Sequence, residues 1–170
     1  MRRGLRIRLA RPEDIPHLQK IFNAEENLDK LERYSDDYLS DAIKNSDHLF
    51  LIGHTLETLR GFIWITGLSD KVRGPKIEEF GSIPSGLGFG SCLLIYALRQ
   101  LLQRRCDKVW LAVASDNERA IRFYRRFKFI DKEIRKSAWL RRSGDVADGL
   151  IMEISASDLD NLLSIPDKKD

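Results

Sequence analysis

The chain has little of what usually gives a protein class away. Its 170 residues hold two cysteines and three histidines. Cys92 and Cys106 are too few for a disulfide framework, and Cys92, among apolar residues of a predicted helix, reads as a reduced core thiol. His17, His48 and His54 are scattered and form no cluster with the cysteines, so no metal site is expected. No apolar run approaches the roughly 18 residues of a membrane span. The start, Met1-Arg-Arg-Gly-Leu-Arg-Ile-Arg, is basic but no apolar stretch follows it. It is not a signal peptide, and the expected location is cytoplasmic. The formal net charge of +3 is too small to argue for a nucleic-acid partner. Repeats, linkers and low-complexity segments are absent as well.

What is present is an ordinary globular composition, 42% apolar and 32% charged, at a length that makes one domain with a real core. Arg6–Ala10 alternates as a strand. Helix one is expected from Asp14 to about Asn27, with Ile15, Leu18, Ile21 and Phe22 inward. Asn27–Tyr34 reads as a polar connection. Ser35-Asp-Asp opens a second helix carrying Tyr38, Leu39, Ala42 and Ile43. His48–His54 and Gly61–Thr66 should pair as a hairpin. Lys108–Ala114 is a further strand. Ser137–Arg142 and Leu150–Ile154 are the last strands, and a short helix and a frayed end follow from Ser155. The order of elements implies one mixed sheet with helices on its faces, an α/β (α+β) fold.

The stretch from Ile77 to Leu98 organises the rest. Ile77–Ile83 can be a strand, Pro84–Gly90 is a loop, and Ser91–Gln103 has the apolar spacing of a helix. Gly86, Gly88 and Gly90 alternate through the loop. The first N–H groups of a helix lack intrahelical partners, and the helix dipole puts partial positive charge at the same end. Glycines let the backbone close on a phosphate. The stretch therefore reads as an anion cradle over Ser85–Ser91, or as a tight turn that needs glycine for geometry alone. It is not a P-loop, because no Gly-Lys-Ser/Thr closes it, and its spacing is not that of a dinucleotide fold.

The second informative stretch is Val109-Trp-Leu-Ala-Val-Ala-Ser-Asp-Asn-Glu-Arg-Ala-Ile-Arg-Phe-Tyr-Arg-Arg-Phe-Lys-Phe. Asn117 follows a strand and opens a helix, and Ala120, Phe123 and Tyr124 fall on later turns. Read alone, this is a packed helix with a solvated arginine face. In this order and spacing, the two stretches resemble the GCN5-related N-acetyltransferase (GNAT) superfamily. Ser85-Gly-Leu-Gly-Phe-Gly-Ser is similar to the family's pyrophosphate loop, and Ile7-Arg-Leu-Ala-Arg-Pro-Glu-Asp-Ile to its usual start. The resemblance implies a single GNAT-like domain over residues 1–156, with 157–170 as a C-terminal tail. It also implies a mostly antiparallel sheet flanked by helices, with a splayed central strand pair.

The implied activity is transfer of an acetyl group from acetyl-CoA, as co-substrate, to an amine of a small molecule or peptide, by direct attack in a ternary complex. Tyr124 stands where the family's general acid stands. Glu78 and Glu79 lie where the resemblance places a base, and strand alternation would put them on opposite faces. The cofactor contacts it implies are Ile83, Ser85, Gly86, Leu87, Gly88, Phe89, Gly90, Ser91 and Asn117. Backbone N–H groups near Ile83 would polarise the thioester. The loop departs from the family pattern in having no basic side chain, with Ser85 in place of Arg or Gln. Cationic help would have to come from elsewhere, with Arg119, Arg122 and Lys128 as candidates. The same departure keeps a second reading open, a GNAT-fold acyl-CoA binding module with weak or no turnover. On the acceptor side the resemblance points to Tyr34, Trp139 and Arg141 without choosing an acceptor. A homodimer is compatible with the sequence, which carries no signature for one.

Overall fold

The computed structural model describes residues 4–27, 30–56, 58–84, 86–141 and 143–164. Seven strands form one sheet in the order β1-β2-β3-β4-β5-β7-β6. They are β1 (Leu5–Leu9), β2 (Leu49–Thr55), β3 (Thr58–Thr66), β4 (Lys76–Ser82), β5 (Lys108–Ala114), β6 (Ile130–Leu140) and β7 (Val146–Ser155). Every neighbouring pair is antiparallel except β4 and β5. That parallel pair is in register only at Lys76↔Trp110 and Ile77↔Leu111, after which the two strands part. The expected mixed sheet with a splayed centre is what the chain forms.

Helices cover both faces. α1 (Ile15–Phe22) and α2 (Asp36–Lys44) bury Leu18, Ile21, Phe22 and Leu39 against Phe50, Phe62 and Trp64. α3 (Phe89–Gln103) lies on the opposite face and buries Leu93, Leu94, Ala97, Leu98 and Leu101 against Ile63, Ile65 and Leu111. Strand alternation makes this division. Phe62 and Trp64 face one core while Ile63 and Ile65 face the other. α4 (Glu118–Arg126) and α5 (Ala156–Ser164) complete the α3 face, and Leu159 of α5 is fully buried there. The helix expected after Ser155 is therefore a packed element. The Ser155 hydroxyl caps it by accepting from the Asp158 N–H at 3.2 Å. The free thiols differ from expectation: Cys92 is only half-buried, and Cys106 is the buried one.

Several boundaries moved for physical reasons. Helix one stops at Phe22, and a 3-10 turn follows at Glu25–Asn27. Asn27 is buried and donates its amide to the Ile21 carbonyl at 2.9 Å, taking up an acceptor that a longer helix would have used. The connection after it is less polar than its composition, because Leu31 is buried. Residues 130–140 form one long strand, where the sequence reading began the strand only at Ser137. The strand carries a register shift between Arg135 and Trp139.

The largest correction concerns β4. Trp64 pairs with Glu79 while Ile65 pairs with Ile77, so Glu78 is an extra residue, a β-bulge. Simple alternation therefore fails across it. Ile77 and Phe80 both pack in the α3-side core. Glu78 contacts Thr66 Oγ1 at 3.3 Å, and Thr66 shares the α1-side face with Trp64 by alternation along β3. Glu79 pairs with Trp64 and meets the α1–α2 connection on that same face. The two glutamates are on one side of the sheet, not on opposite sides.

Candidate active site

The opening between β4 and β5 is the mouth of a cleft of about 640 Å³. One wall is β4, from Ile77 to Ser82, and the floor includes Ala112 and Val113 of β5. Gly86, Gly88, Gly90 and Ser91 form one end, and Asn117, Arg119, Ala120, Arg122, Phe123, Tyr124 and Arg126 line the α4 side. Asn27, Lys30 and Trp139 also line the cleft. One cavity thus joins the glycine loop, both glutamates and Tyr124, which the sequence placed on three separate elements.

The loop has the geometry of a cradle. Gly86 and Gly88 take φ of +85° and +80°, a region costly for other residues. Gly88 is the N-cap of α3. A β-carbon on Gly90 would stand 3.1 Å from Phe80 Cζ, so a bare backbone lets the first turn of α3 press on β4. This helix end, which has no side-chain cap at Gly88, suits a diphosphate. Ser85 lies outside the described residues. Leu87 is largely exposed, and neither it nor Phe89 lines the cleft. Phe89 instead has the Arg60 guanidinium 5.9 Å from its ring centre.

The positive charge missing from the loop comes from α4. Arg119 Nη2 is 3.8 Å from the point a β-carbon on Gly86 would occupy. Arg119 has no ion-pair partner among the described residues, whereas Arg122 pairs with Glu118 at 2.7 Å. Arg119, Arg122 and Arg126 recur at helical spacing and all reach the cleft. Lys128, the third candidate, is not among the lining residues. Asn117 also lines the cleft, and its side chain is committed to capping, accepting from the Ala120 N–H at 3.2 Å.

Ile83 does not line the cleft, and its N–H donates to the Arg60 carbonyl at 2.8 Å. In an antiparallel ladder successive N–H groups alternate in direction. The amides of Ser82 and Phe80 therefore point away from β3, toward the gap before β5. The donors that face the split are those two, one and three residues before the amide expected from sequence.

Glu79 is 8% exposed. Its Oε1 accepts from the Glu32 N–H and from the Tyr34 hydroxyl, each at 3.1 Å. Burial raises its pKa, those two hydrogen bonds oppose the rise, and the charges of Glu32 and Glu78 add to it, leaving the carboxyl at about 7. Glu78 is more open and is held by Lys76 Nζ at 2.8 Å. The approach of the α1–α2 connection to Glu79 depends on Gly81. A β-carbon there would meet Leu31 Cδ1 at 3.0 Å and Phe62 Cε1 at 3.2 Å.

Tyr124 is 8% exposed, and its hydroxyl has no hydrogen-bond partner among the described residues. Burial, and then the nearby Glu79 charge, push the phenol well above its ordinary value. It stays protonated through the neutral range and is available as a donor. Its ring is fixed by Phe80, Phe123 and Phe129, with centroids 6.4, 5.4 and 5.6 Å away.

The resemblance placed the stretch Asn27–Tyr34 on the acceptor side but did not single out Asn27 or Glu32, neither of which stands in a motif. Tyr34 and Trp139 were singled out, and the structure brings the first to Glu79 and the second to the cleft. Arg141, the third, instead reaches Asp116 Oδ1 at 2.6 Å and ties the β6–β7 turn to the start of α4. Among the described residues no group of side chains could hold a metal ion, and no helix is long and apolar enough to cross a membrane.

The model of the acetyltransferase (GNAT) family matches residues 15–129. No curated protein matches the chain. Among solved structures, the ribosomal-protein-S18-alanine N-acetyltransferase from Escherichia coli superposes with a TM-score of 0.75 at 19% identity, over 89% of this chain and 94% of its own. The spermidine N-acetyltransferase from Vibrio cholerae, in complex with CoA and spermine, superposes with a TM-score of 0.78 at 19% identity, over 92% and 98%. At this identity the likeness is one of fold.

Proposed function

Since the chain belongs to the GNAT acetyltransferase family, we propose that it transfers the acetyl group of acetyl-CoA to an amine of a small molecule or peptide, by direct attack within a ternary complex. The observation that carries this reading is the Tyr124 hydroxyl. A buried polar group without a partner is costly and rare. Here it lies in the wall of a cleft that has an anion cradle at one end and a carboxyl near pKa 7 on the facing strand.

The residues divide the chemistry between them. The amides at the start of α3, with Arg119, hold the diphosphate of the co-substrate. The Phe80 and Ser82 N–H groups face the thioester carbonyl and stabilise the negative oxygen that develops on attack. Glu79 accepts a proton from the acceptor ammonium, which is otherwise charged near neutrality and cannot attack. Glu79 serves better than Glu78 because a base poised near 7 is half-ionised at working pH, and Glu78 is tied to Lys76. The free amine forms the new C–N bond, the C–S bond breaks, Tyr124 gives its proton to the leaving sulfur, and the second proton shed by the new amide nitrogen restores the phenol. Asn117 holds the start of α4 and thereby the position of Tyr124.

The test is thiol release from acetyl-CoA with a panel of amines: spermidine, a peptide with N-terminal alanine, a lysine peptide and small primary amines. The acceptors of the two structural neighbours set the first two members. Turnover above the Tyr124→Phe background with any of them supports the transferase. CoA binding with no turnover for any amine supports the binding-module reading. No binding of CoA removes both.

A further inference from the structure

Glu79 is buried, so a proton it takes from an acceptor must leave again before the next turnover, and the cleft it lines is also the way in for the substrates. The α1–α2 connection contains a second way out. The Tyr34 oxygen lies 3.1 Å from Oε1 of Glu79 and 3.3 Å from Oε2 of Glu32. Glu32 is exposed at the surface. A phenol has one hydroxyl proton and can donate to only one of these carboxyls at a time. The other contact becomes a hydrogen bond only when that carboxyl itself carries a proton. Two carboxyls around one hydroxyl are therefore a built place for one additional proton, with one partner inside and one in water.

We infer that Tyr34 relays protons between Glu79 and Glu32. This rests on the reading of Glu79 as the base. In each transfer the Glu79 O–H bond breaks and its proton goes to the Tyr34 oxygen. At the same time the original Tyr34 O–H bond breaks and that proton goes to Glu32, which passes it to water. The net change is one proton moved from Glu79 to Glu32, and no phenolate forms. Burial, and next the charges of Glu79 and Glu32, hold the phenol protonated, so it always has a proton to hand on.

The surroundings fix the bridge. The Tyr34 ring stacks on Tyr38 at 5.3 Å and meets Trp64 and Phe22 edge-on at 5.3 and 5.6 Å. Gln19 Nε2 donates to its carbonyl at 2.9 Å. The Glu32 backbone N–H binds the same Oε1 of Glu79, which keeps residues 32 and 79 together. The other ionisable groups facing Glu79 are Glu78 from the bulge, Tyr124 from α4 and Lys30 at the cleft wall. Glu78 is paired with Lys76. Tyr34 and Glu32 touch no reacting atom; they act through Glu79.

The test uses the full chain labelled with carbon-13 at glutamate carboxyls, read by NMR against pH without any acceptor. Wild-type Glu79 should titrate near 7. Tyr34→Phe should raise that midpoint by about one unit, by removing a hydrogen bond to the charged form, and Glu32→Gln should lower it by removing a like charge. In turnover with whichever panel amine reacts, Tyr34→Phe should lower kcat about tenfold in dilute buffer with KM for acetyl-CoA unchanged. Added imidazole should restore it, while wild type ignores imidazole. A Glu79 midpoint unmoved by Tyr34→Phe, or a slow variant that imidazole does not rescue, overturns the relay. If no amine reacts, it is the transferase reading that fails, and an unmoved midpoint still overturns the bridge.

Discussion

Arg119 of α4 brings Nη2 to within 3.8 Å of the place where a β-carbon would stand on Gly86, so the helix that carries Tyr124 also lends its charge to the glycine loop. Arg119→Ala should therefore weaken CoA binding by about tenfold, the scale of one charge-assisted hydrogen bond at a partly open site. Isothermal titration with CoA measures it. The loss should shrink as salt rises, and kcat at saturating acetyl-CoA should change little. Unaltered affinity would assign the diphosphate to backbone amides alone.

Gly88 starts α3 in the left-handed region, with φ of +80°. Gly88→Ala should cost about 1 kcal/mol of stability and lower Tm by a few degrees. CoA affinity should fall as well, because the strained turn re-aims the amides that face the diphosphate. Equal Tm and affinity in the variant would show that the loop tolerates a side chain there.

Tyr124→Phe separates chemistry from packing. The hydroxyl has no partner among the described residues, so its removal leaves no orphaned group behind. Thermal stability should be equal or higher, KM for acetyl-CoA nearly constant, and kcat about a hundredfold lower. A large loss of Tm would mean that the hydroxyl supports the core instead.

The pKa of Glu79 gives a pH prediction with a definite sign. Its folded value of about 7 lies above the ordinary carboxylate value of 4.5. A raised folded pKa means that the carboxyl's contribution to stability is complete below the unfolded value and is lost as pH rises through about 7. Glu79→Gln should then gain stability over wild type at pH 8.5, on the order of 2 kcal/mol, and little at pH 4. Urea unfolding at the two pH values measures the difference. In the same window kcat/KM of wild type should rise with pH as Glu79 ionises, and Glu79→Gln should lose most activity throughout. The same gain at both pH values would show that Glu79 does not titrate in this range.

The parts of the site legible in the sequence were those written in local signals. Three alternate glycines before a helix, a capping asparagine at 117 and an aromatic pair at 123 and 124 all show in a window of a few residues. The rest depends on contacts between distant segments. Tyr34 reaches Glu79 across 45 positions, and nothing near either residue announces it. The bulge at Glu78 exists only relative to β3, so counting alternate residues along β4 misplaced one glutamate. The sequence pointed to N–H groups near Ile83 without saying which, because the last rung of the β3–β4 ladder cannot be seen from one strand. Arg119 stood as one of three cationic candidates without a choice among them, since helical periodicity names a face but not what that face meets.

The surplus residue in β4 also governs how relatives of this chain are to be lined up. Shifting a gap by a single column at Glu78 exchanges an acid on the α1 side of the sheet for a hydrophobe beneath α3. The dependable anchor for transferring a role onto this strand is the rung that joins Trp64 to Glu79. Two sequences sharing an acidic pair here can bear it on one side of the sheet or on both.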